Sequence, residues 1–389
     1  MAARMVPLCS RAVLRSLGVR APAFWVRQCS TAAHKAPWTL WKRPVIIAGG
    51  VAAIGIVSGT FYLKMMAVSP AVADLTPPSV SDPNRSASTK AEEVIPARWQ
   101  NIEKLPNVPI SRKVTGSTPL PGIRLTLFQY QTCPFCCKVR AFLDFAGVPY
   151  DVVEVEPVLR QQIRFSQYKK VPILLLREGE NCWQLNDSSV IISILQSYLL
   201  NRKPGIRFYL DLYQPVKTKD PTGKEVLEVF NKYNLMYGTS GSVDRNVINS
   251  EMQWRRWADD HLVHVLSPNV YRSREEALQA FRYFSDVGEW EKLFPAWERG
   301  LVIYVGATAM YFIGKRLQKK YNLKDDVRLS FYEACDTWTS HLGNAKFSGG
   351  NWPNLADLIS TSYSNLCAAL RSRNNDRDFS ALGAWRDVV

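Results

Sequence analysis

Histidine is scarce in this chain, and its cysteines are scattered. Only four His occur in 389 residues, and none lies within 90 residues of the one Cys-x-x-Cys, Cys133 and Cys136. There is no second such pair: Cys9, Cys29, Cys182, Cys335 and Cys367 are isolated. A structural zinc site needs four nitrogen or sulfur ligands, so no metal is expected here. Eight cysteines spread over this length do not make the disulfide framework of a small secreted protein, and a reducing compartment is expected. Acidic residues are missing from positions 1–73, where nine Lys or Arg fall. The formal charge of +15 is therefore concentrated at one end, and the rest of the chain carries only +6. No basic cluster with interleaved aromatics stands out in that remainder, which argues against nucleic acid as a partner. No internal repeat is visible.

The stretch Thr132-Cys133-Pro134-Phe135-Cys136-Cys137-Lys138 is what remains to carry chemistry. An alternating apolar segment, 123–129, precedes it and reads as a buried strand, and an amphipathic run, 138–145, follows and reads as a helix. Cys-x-x-Cys at a strand-to-helix turn is a redox signature. Cys133 at the helix start would face unpaired N–H groups and the positive end of the helix dipole, which stabilise a thiolate. Pro134 suits the first turn, where its missing N–H is not needed. Cys136, one turn on, reads as the buried resolving thiol, and Cys137 as a bystander on the other side of the helix.

Six segments are expected. Residues 1–44 are basic and acid-free, the composition of a mitochondrial presequence or of the flank of a signal anchor. Residues 45–63 are 19 uncharged positions, long enough to cross a bilayer core as one transmembrane helix. Residues 64–122 form a linker rich in proline, with nine of the 23 prolines after Val68. Residues 123–201 alternate as strand 123–129, helix 134–146, strand 150–155, helix 158–167, strands 171–176 and 182–185, and helix 188–199. That order reads as a thioredoxin-like α/β domain. Pro172 stands at the start of a strand, where a residue without an N–H is tolerated and a cis bond is plausible. Asn186 to Ser189 supplies N-caps to the last helix. Residues 202–250 are a turn-rich connection, and 251–389 have helical periodicity throughout. Ser273/Glu276 and Asn354/Asp357 are capping boxes. The apolar run 301–313 is too short to span a membrane and reads as a buried core helix or a dimer face. His261 and His264 share one helical face beside Trp254 and Trp257, which reads as packing rather than metal binding.

Cys-Pro-Phe-Cys, then Val171-Pro172, then Asp187-Ser188, then an all-helical second domain with its Asn354/Asp357 box, is the order seen in glutathione transferases and glutaredoxins. With the N-terminal apolar segment, the ensemble resembles the membrane-associated, thioredoxin-type prostaglandin E synthases of that superfamily. The resemblance implies a glutathione-transferase-like homodimer, held at a Golgi membrane by its N-terminal helix, with a cleaved soluble form. It implies that the backbone of Val171, beside Pro172, pairs with glutathione and that Asp187 and Ser188 bind the γ-glutamyl end. Cys133 would be the catalytic thiol, supported by Cys136 and by the hydroxyl of Tyr130. The implied reaction isomerises prostaglandin H2 to prostaglandin E2, and a haem- and glutathione-bound form would degrade prostaglandin H2 instead. From the residues alone, two alternatives stay open: a general glutathione-dependent thiol oxidoreductase, and a non-catalytic haem- or glutathione-binding membrane scaffold. The presequence-like start keeps a mitochondrial location open beside the Golgi.

Overall fold

A computed structural model describes residues 95–371, apart from 97–98, 104–105, 158, 220–224 and 238–243. The expected transmembrane segment 45–63 lies outside the described residues. Among those described, no helix is long and apolar enough to cross a membrane.

The strands are β1 (Ile95–Pro96), β2 (Gln100–Asn101), β3 (Arg112–Val114), β4 (Ile123–Gln129), β5 (Tyr150–Glu154), β6 (Ile173–Glu178), β7 (Asn181–Asn186), β8 (Val216–Lys219) and β9 (Glu225–Glu228). Six of them form one sheet in the order β2-β7-β6-β4-β5-β3. Only β4 and β5 run parallel, and the other pairs are antiparallel. The parallel pair is joined by helix α1 (Pro134–Phe145), the crossover that parallel neighbours require. The hairpin β8–β9 pairs with β1 in a small separate sheet.

Side chains alternate across β4, as a period of two dictates. Ile123, Leu125 and Leu127 enter one core with Val139, Phe142 and Leu143 of α1 and with Val190, Ile191, Ile194 and Leu195 of α2 (Ser188–Leu200). Phe128 points the other way, into a cluster with Val153, Val155, Ile163, Ile173 and Leu175. The sheet is therefore covered on both faces, and the thiol turn emerges at the C-terminal end of the interior strand β4, after Gln129.

Five expectations change on this side of the chain. The described end of the expected linker 64–122 is not only an extended connection: β2 and β3 lie in it and pair with β7 and β5 as the two outer strands of the main sheet. Residues 158–167 are not a helix: only Gln161–Ile163 form a 3-10 turn, preceded by Arg160 in the left-handed region at φ 52°. Glu156 explains this. Its carboxylate accepts the N–H groups of Leu159 and Arg160, and its own N–H donates to the Gln162 side chain. These bonds satisfy the groups around a left-handed Arg160, a backbone conformation that a right-handed helix cannot pass through. The third strand begins at Ile173, two residues later than expected, after a cis Val171–Pro172 bond. The strand β7 runs longer at both ends than expected. Cys137 is no bystander, as its contacts below show.

The connection 202–250 holds α3 (Ile206–Leu212), the hairpin and the start of α4 (Arg245–Trp257). Beyond it come a π-helical turn at Ala258–Leu262, α5 (Val263–Val270), α6 (Arg274–Val287), α7 (Trp290–Leu293) and α8 (Ala296–Leu301). A second π-helical turn, Val302–Gly306, leads into α9 (Ala307–Lys320), followed by α10 (Val327–Leu342) and α11 (Leu355–Arg371). Ser273 accepts the Glu276 N–H at 3.1 Å, but the Glu276 carboxylate turns to Arg272 instead of closing its half of the box. At α11 both halves close: Asn354 accepts from Ala356 and Asp357, and Asp357 accepts the Asn354 N–H at 2.9 Å. The run 301–313 is only half a core element. Val302 and Ala307 are buried, while Tyr304, Val305 and Phe312 are exposed. Trp254 and Trp257 pack with Trp338 and His341, as expected of a structural cluster.

Candidate active site

Cys133 is the N-cap of α1, with extended backbone at φ −72°, ψ 125° and Pro134 beginning the helix. Its N–H donates to the Tyr130 carbonyl at 3.2 Å, and its carbonyl accepts the Cys137 N–H at 2.8 Å. The Cys133 thiol is held below the ordinary thiol range. A hydrogen bond from Cys136 does most, and the N–H groups of Cys136 and Phe135 and the charge of Arg140 add to it against the opposing effect of burial. Burial pushes Cys136 well up, and the hydrogen-bonded Cys133 pushes it further. The two sulfurs thus divide into an acidic thiol at the helix mouth and a buried donor behind it. The third, Cys137, is also raised by burial. It accepts from Arg140 at 3.1 Å and donates to the Gln131 carbonyl at 3.5 Å.

Arg140 extends this arrangement back into the sheet. It donates to the Gln131 carbonyl at 2.8 Å and to the Gln129 side chain at 2.6 Å. Glu154 on β5 accepts from the Gln129 side chain at 3.1 Å and from the Gln131 N–H at 2.5 Å. Tyr130 lies between these pinned residues, with its ring against the Phe128 cluster. Its position in the site is therefore set from both sides.

The remaining expected residues come from two neighbouring turns. The β4–β6 and β6–β7 ladders end at Ile173, which leaves the main chain of Val171 and Pro172 beyond the paired strand. Asp187 has φ 69° and caps α2, accepting the N–H groups of Ser189 at 2.8 Å and Val190 at 3.4 Å. Its second oxygen pairs with Lys232 at 3.2 Å, with 41 % of the Asp187 side chain exposed. Ser188 is buried in the first turn. Tyr130, Tyr168 and Val171 pack against the same Phe128 cluster, and burial first, then the charges of Asp187, Cys133 and Cys136, drive the Tyr168 phenol upward. Tyr168 has no motif around it and is not singled out by sequence reasoning.

Sequence reasoning also misses a buried polar centre behind α1. Lys138 has a fully buried side chain and donates to both oxygens of Asp259 at 2.7 Å. It also donates to Ser189 at 2.6 Å. Asp259 further accepts from Ser189 at 2.6 Å, Tyr233 at 3.1 Å and Tyr363 at 2.8 Å. Burial works to raise the Asp259 carboxyl, but Lys138 and the hydroxyls hold it below the usual carboxylate range. The Tyr363 ring meets Phe135, one of the two residues between the motif cysteines, edge-on at 6.3 Å. One signal was available. Lys138 lies four residues before Phe142, on the stripe that α1 buries, and a buried ammonium needs a partner.

Residues 127–199 match the family described as glutathione S-transferase, N-terminal domain. The chain is 50 % identical over 242 residues to prostaglandin E synthase 2 of Mus musculus, covering 61 % of this chain and 62 % of that one. It thus spans about three-fifths of the length of the mouse relative. To prostaglandin E synthase 2 of Danio rerio it is 43 % identical over 268 residues, covering 68 % and 69 %. Among solved structures, a rice glutathione transferase in complex with glutathione is similar at 16 % identity and a TM-score of 0.37, covering 69 % of this chain and 86 % of that one. The expected architecture, a thioredoxin-type sheet followed by a helical part as in glutathione transferases, is the one observed. With the zebrafish relative matched over more than two-thirds of its length, the chain belongs to the prostaglandin E synthase 2 family.

Proposed function

We propose that this protein isomerises prostaglandin H2 to prostaglandin E2, with Cys133 as the nucleophile. The observation that carries the reading is a thiol held below its ordinary range at a helix start, backed by the Cys136 hydrogen bond. An endoperoxide O–O bond is weak, and a thiolate is a soft nucleophile suited to it. The Cys133 sulfur attacks the oxygen on the carbon destined to become the ketone. An S–O bond forms, the O–O bond breaks, and the other oxygen leaves as an alkoxide that takes a proton. Loss of the ring C–H proton to a base then forms the ketone, and the S–O electron pair returns to sulfur. No electrons enter or leave, so the thiolate is regenerated in each cycle.

The residues present suit glutathione, which when bound supplies a second thiol beside Cys133. The main chain of Val171, next to Pro172 and outside the ladder, offers a strand-like edge to a peptide. The half-exposed Asp187 carboxylate, with Ser188 at the start of α2, suits the charged γ-glutamyl end. Tyr130 and Tyr168 line the same turns. Haem belongs to the same reading through the resemblance. His264 is stacked on Tyr321 and His261 lies against Trp257, so a haem would be held through a bound thiol such as glutathione rather than through these rings. The tether at 45–63, a second copy of the chain and a Golgi membrane complete the proposal.

The test is a product assay on the full chain with prostaglandin H2 and a thiol. Cys133→Ser should reduce prostaglandin E2 to the level of spontaneous decay. Full activity in that variant would remove Cys133 from the reaction. The hydrogen bond between the two motif thiols supports a second reading, a thiol oxidoreductase. Rapid reduction of a mixed glutathione disulfide without prostaglandin turnover would favour it.

A further inference from the structure

The continuous helical stretch from α8 through α9 presents one long exposed stripe. Trp297, Tyr304 and Phe312 are 65 %, 60 % and 57 % exposed, and Val305 is 39 % exposed. Farther along the same stripe come Lys315, Arg316 and Lys319, all exposed. Lys315, Arg316 and Lys319 follow Phe312 by three, four and seven residues, which keeps them on its side of α9, and Trp297, Tyr304 and Val305 precede it, exposed before and within the π-helical turn. The opposite side is tightly held. A Cβ on Gly306 would come within 2.5 Å of the Phe281 ring, and Gly314 packs against Tyr271. The stripe therefore cannot turn inward. Single exposed apolar side chains are ordinary on a protein surface, but a contiguous row of large ones marks a contact site.

Charge decides what the contact is. Between Glu298, which is buried, and Asp325 the sequence has no acidic residue, while Arg299, Lys315, Arg316, Lys319, Lys320 and Lys324 are basic. Arg299 and Lys324 at the two ends pair with Glu291 and Glu333, but a second copy packed symmetrically on this stripe would set the central Lys315, Arg316, Lys319 and Lys320 against their own counterparts, with no acidic residue in 299–324 to meet them. An anionic lipid surface supplies both missing complements: an apolar boundary for the aromatic end and phosphates for the cationic end. The Lys and Arg stems reach along the apolar boundary while their heads stay in water.

We propose that the α8–α9 stripe is a membrane-docking face that lies flat on anionic phospholipid, as a contact additional to the N-terminal segment. The inference uses neither Cys133 nor the reaction proposed above, and its test reads contact, not turnover.

The experiment uses the full chain with a photoreactive p-benzoylphenylalanine replacing Tyr304 or Phe312, and replacing Lys217 on the β8–β9 hairpin as a reference position. After illumination on phosphatidylcholine–phosphatidylserine vesicles, phospholipid adducts should form at 304 and 312 well above those at 217. They should fade on phosphatidylcholine alone. Lys315→Gln, Arg316→Gln and Lys319→Gln together should weaken the docking of this face by about a hundredfold, since each cation near an anionic surface is worth about fivefold. Three results would overturn the proposal. One is lipid adducts no greater at 304 and 312 than at 217. Another is adducts that join two protein chains, or that join the stripe to residues 1–94 or 372–389 of the same chain. The last is unchanged lipid adducts in the triple variant.

Discussion

Replacing Lys138 by methionine removes the only cation hydrogen-bonded to Asp259 among the described residues and keeps most of the side-chain volume. The carboxylate would retain the hydroxyls of Ser189, Tyr233 and Tyr363. It would also remain in a setting where it is 12 % exposed and its former partner was fully buried. Breaking a buried pair from one side costs about 3–5 kcal/mol, because the surviving charge is left uncompensated. With a urea slope of about 3 kcal/mol/M, the unfolding midpoint should fall by about 1 to 2 M. Asp259→Asn in the same chain neutralises the survivor, so the double variant should recover on the order of 2 kcal/mol relative to the sum of the single changes. The pH dependence carries a sign. The native carboxyl is held below its usual range, so its contribution is present above an unfolded pKa of about 3.9 and is lost as pH falls through the lower folded value. In Lys138→Met the buried partner is gone and only the hydroxyls and the more distant Lys232 oppose burial, which raises the carboxyl, so the deficit should shrink as pH falls through the raised value. A single-variant loss below about 1 kcal/mol, or strict additivity in the double variant, would refute the reasoning.

Two further outcomes follow from the site and the helical part. Cys136→Ala removes the main hydrogen bond that holds the Cys133 thiol down, so the midpoint of Cys133 alkylation by iodoacetamide against pH should rise. An unmoved midpoint would mean that the helix start, not the second thiol, sets its acidity. Asp357→Ala takes acceptors from the N–H groups of Ser348 and Asn354 and should cost about 1–2 kcal/mol, lowering Tm by roughly 2 to 8 °C. A melt that overlays the wild type would show that the α11 cap contributes nothing to stability.

What could be read from the chain in advance was whatever depended on near neighbours. The Cys133–Cys136 turn, the start of α1, the Asp187 cap and the Asn354–Asp357 box each involve residues within a few positions of one another, and each forms. The helix expected over 158–167 fails for a local reason too subtle for periodicity: Glu156 and Gln162 occupy the backbone groups of Pro157's neighbourhood with side-chain bonds. Strand β6 starts late because pairing resumes only after Pro172, which the sequence marks as lacking an N–H without saying that the ladder begins on its far side. The α8–α9 run was legible as apolar, but hydropathy does not say which side of a helix its neighbours cover. Lys138 and Asp259 are 121 positions apart, and nothing near either one names the other.

Asp259 occupies the π-helical turn Ala258–Leu262, and its lysine belongs to the helix that presents the thiol. A chimera joining the first 201 residues of this chain to a helical part with no acidic residue at the place of Asp259 would inherit the ammonium without its acid. Such a graft would need an aspartate placed on an equivalent widened turn, or a hydrocarbon side chain at 138, before its thiol helix could settle.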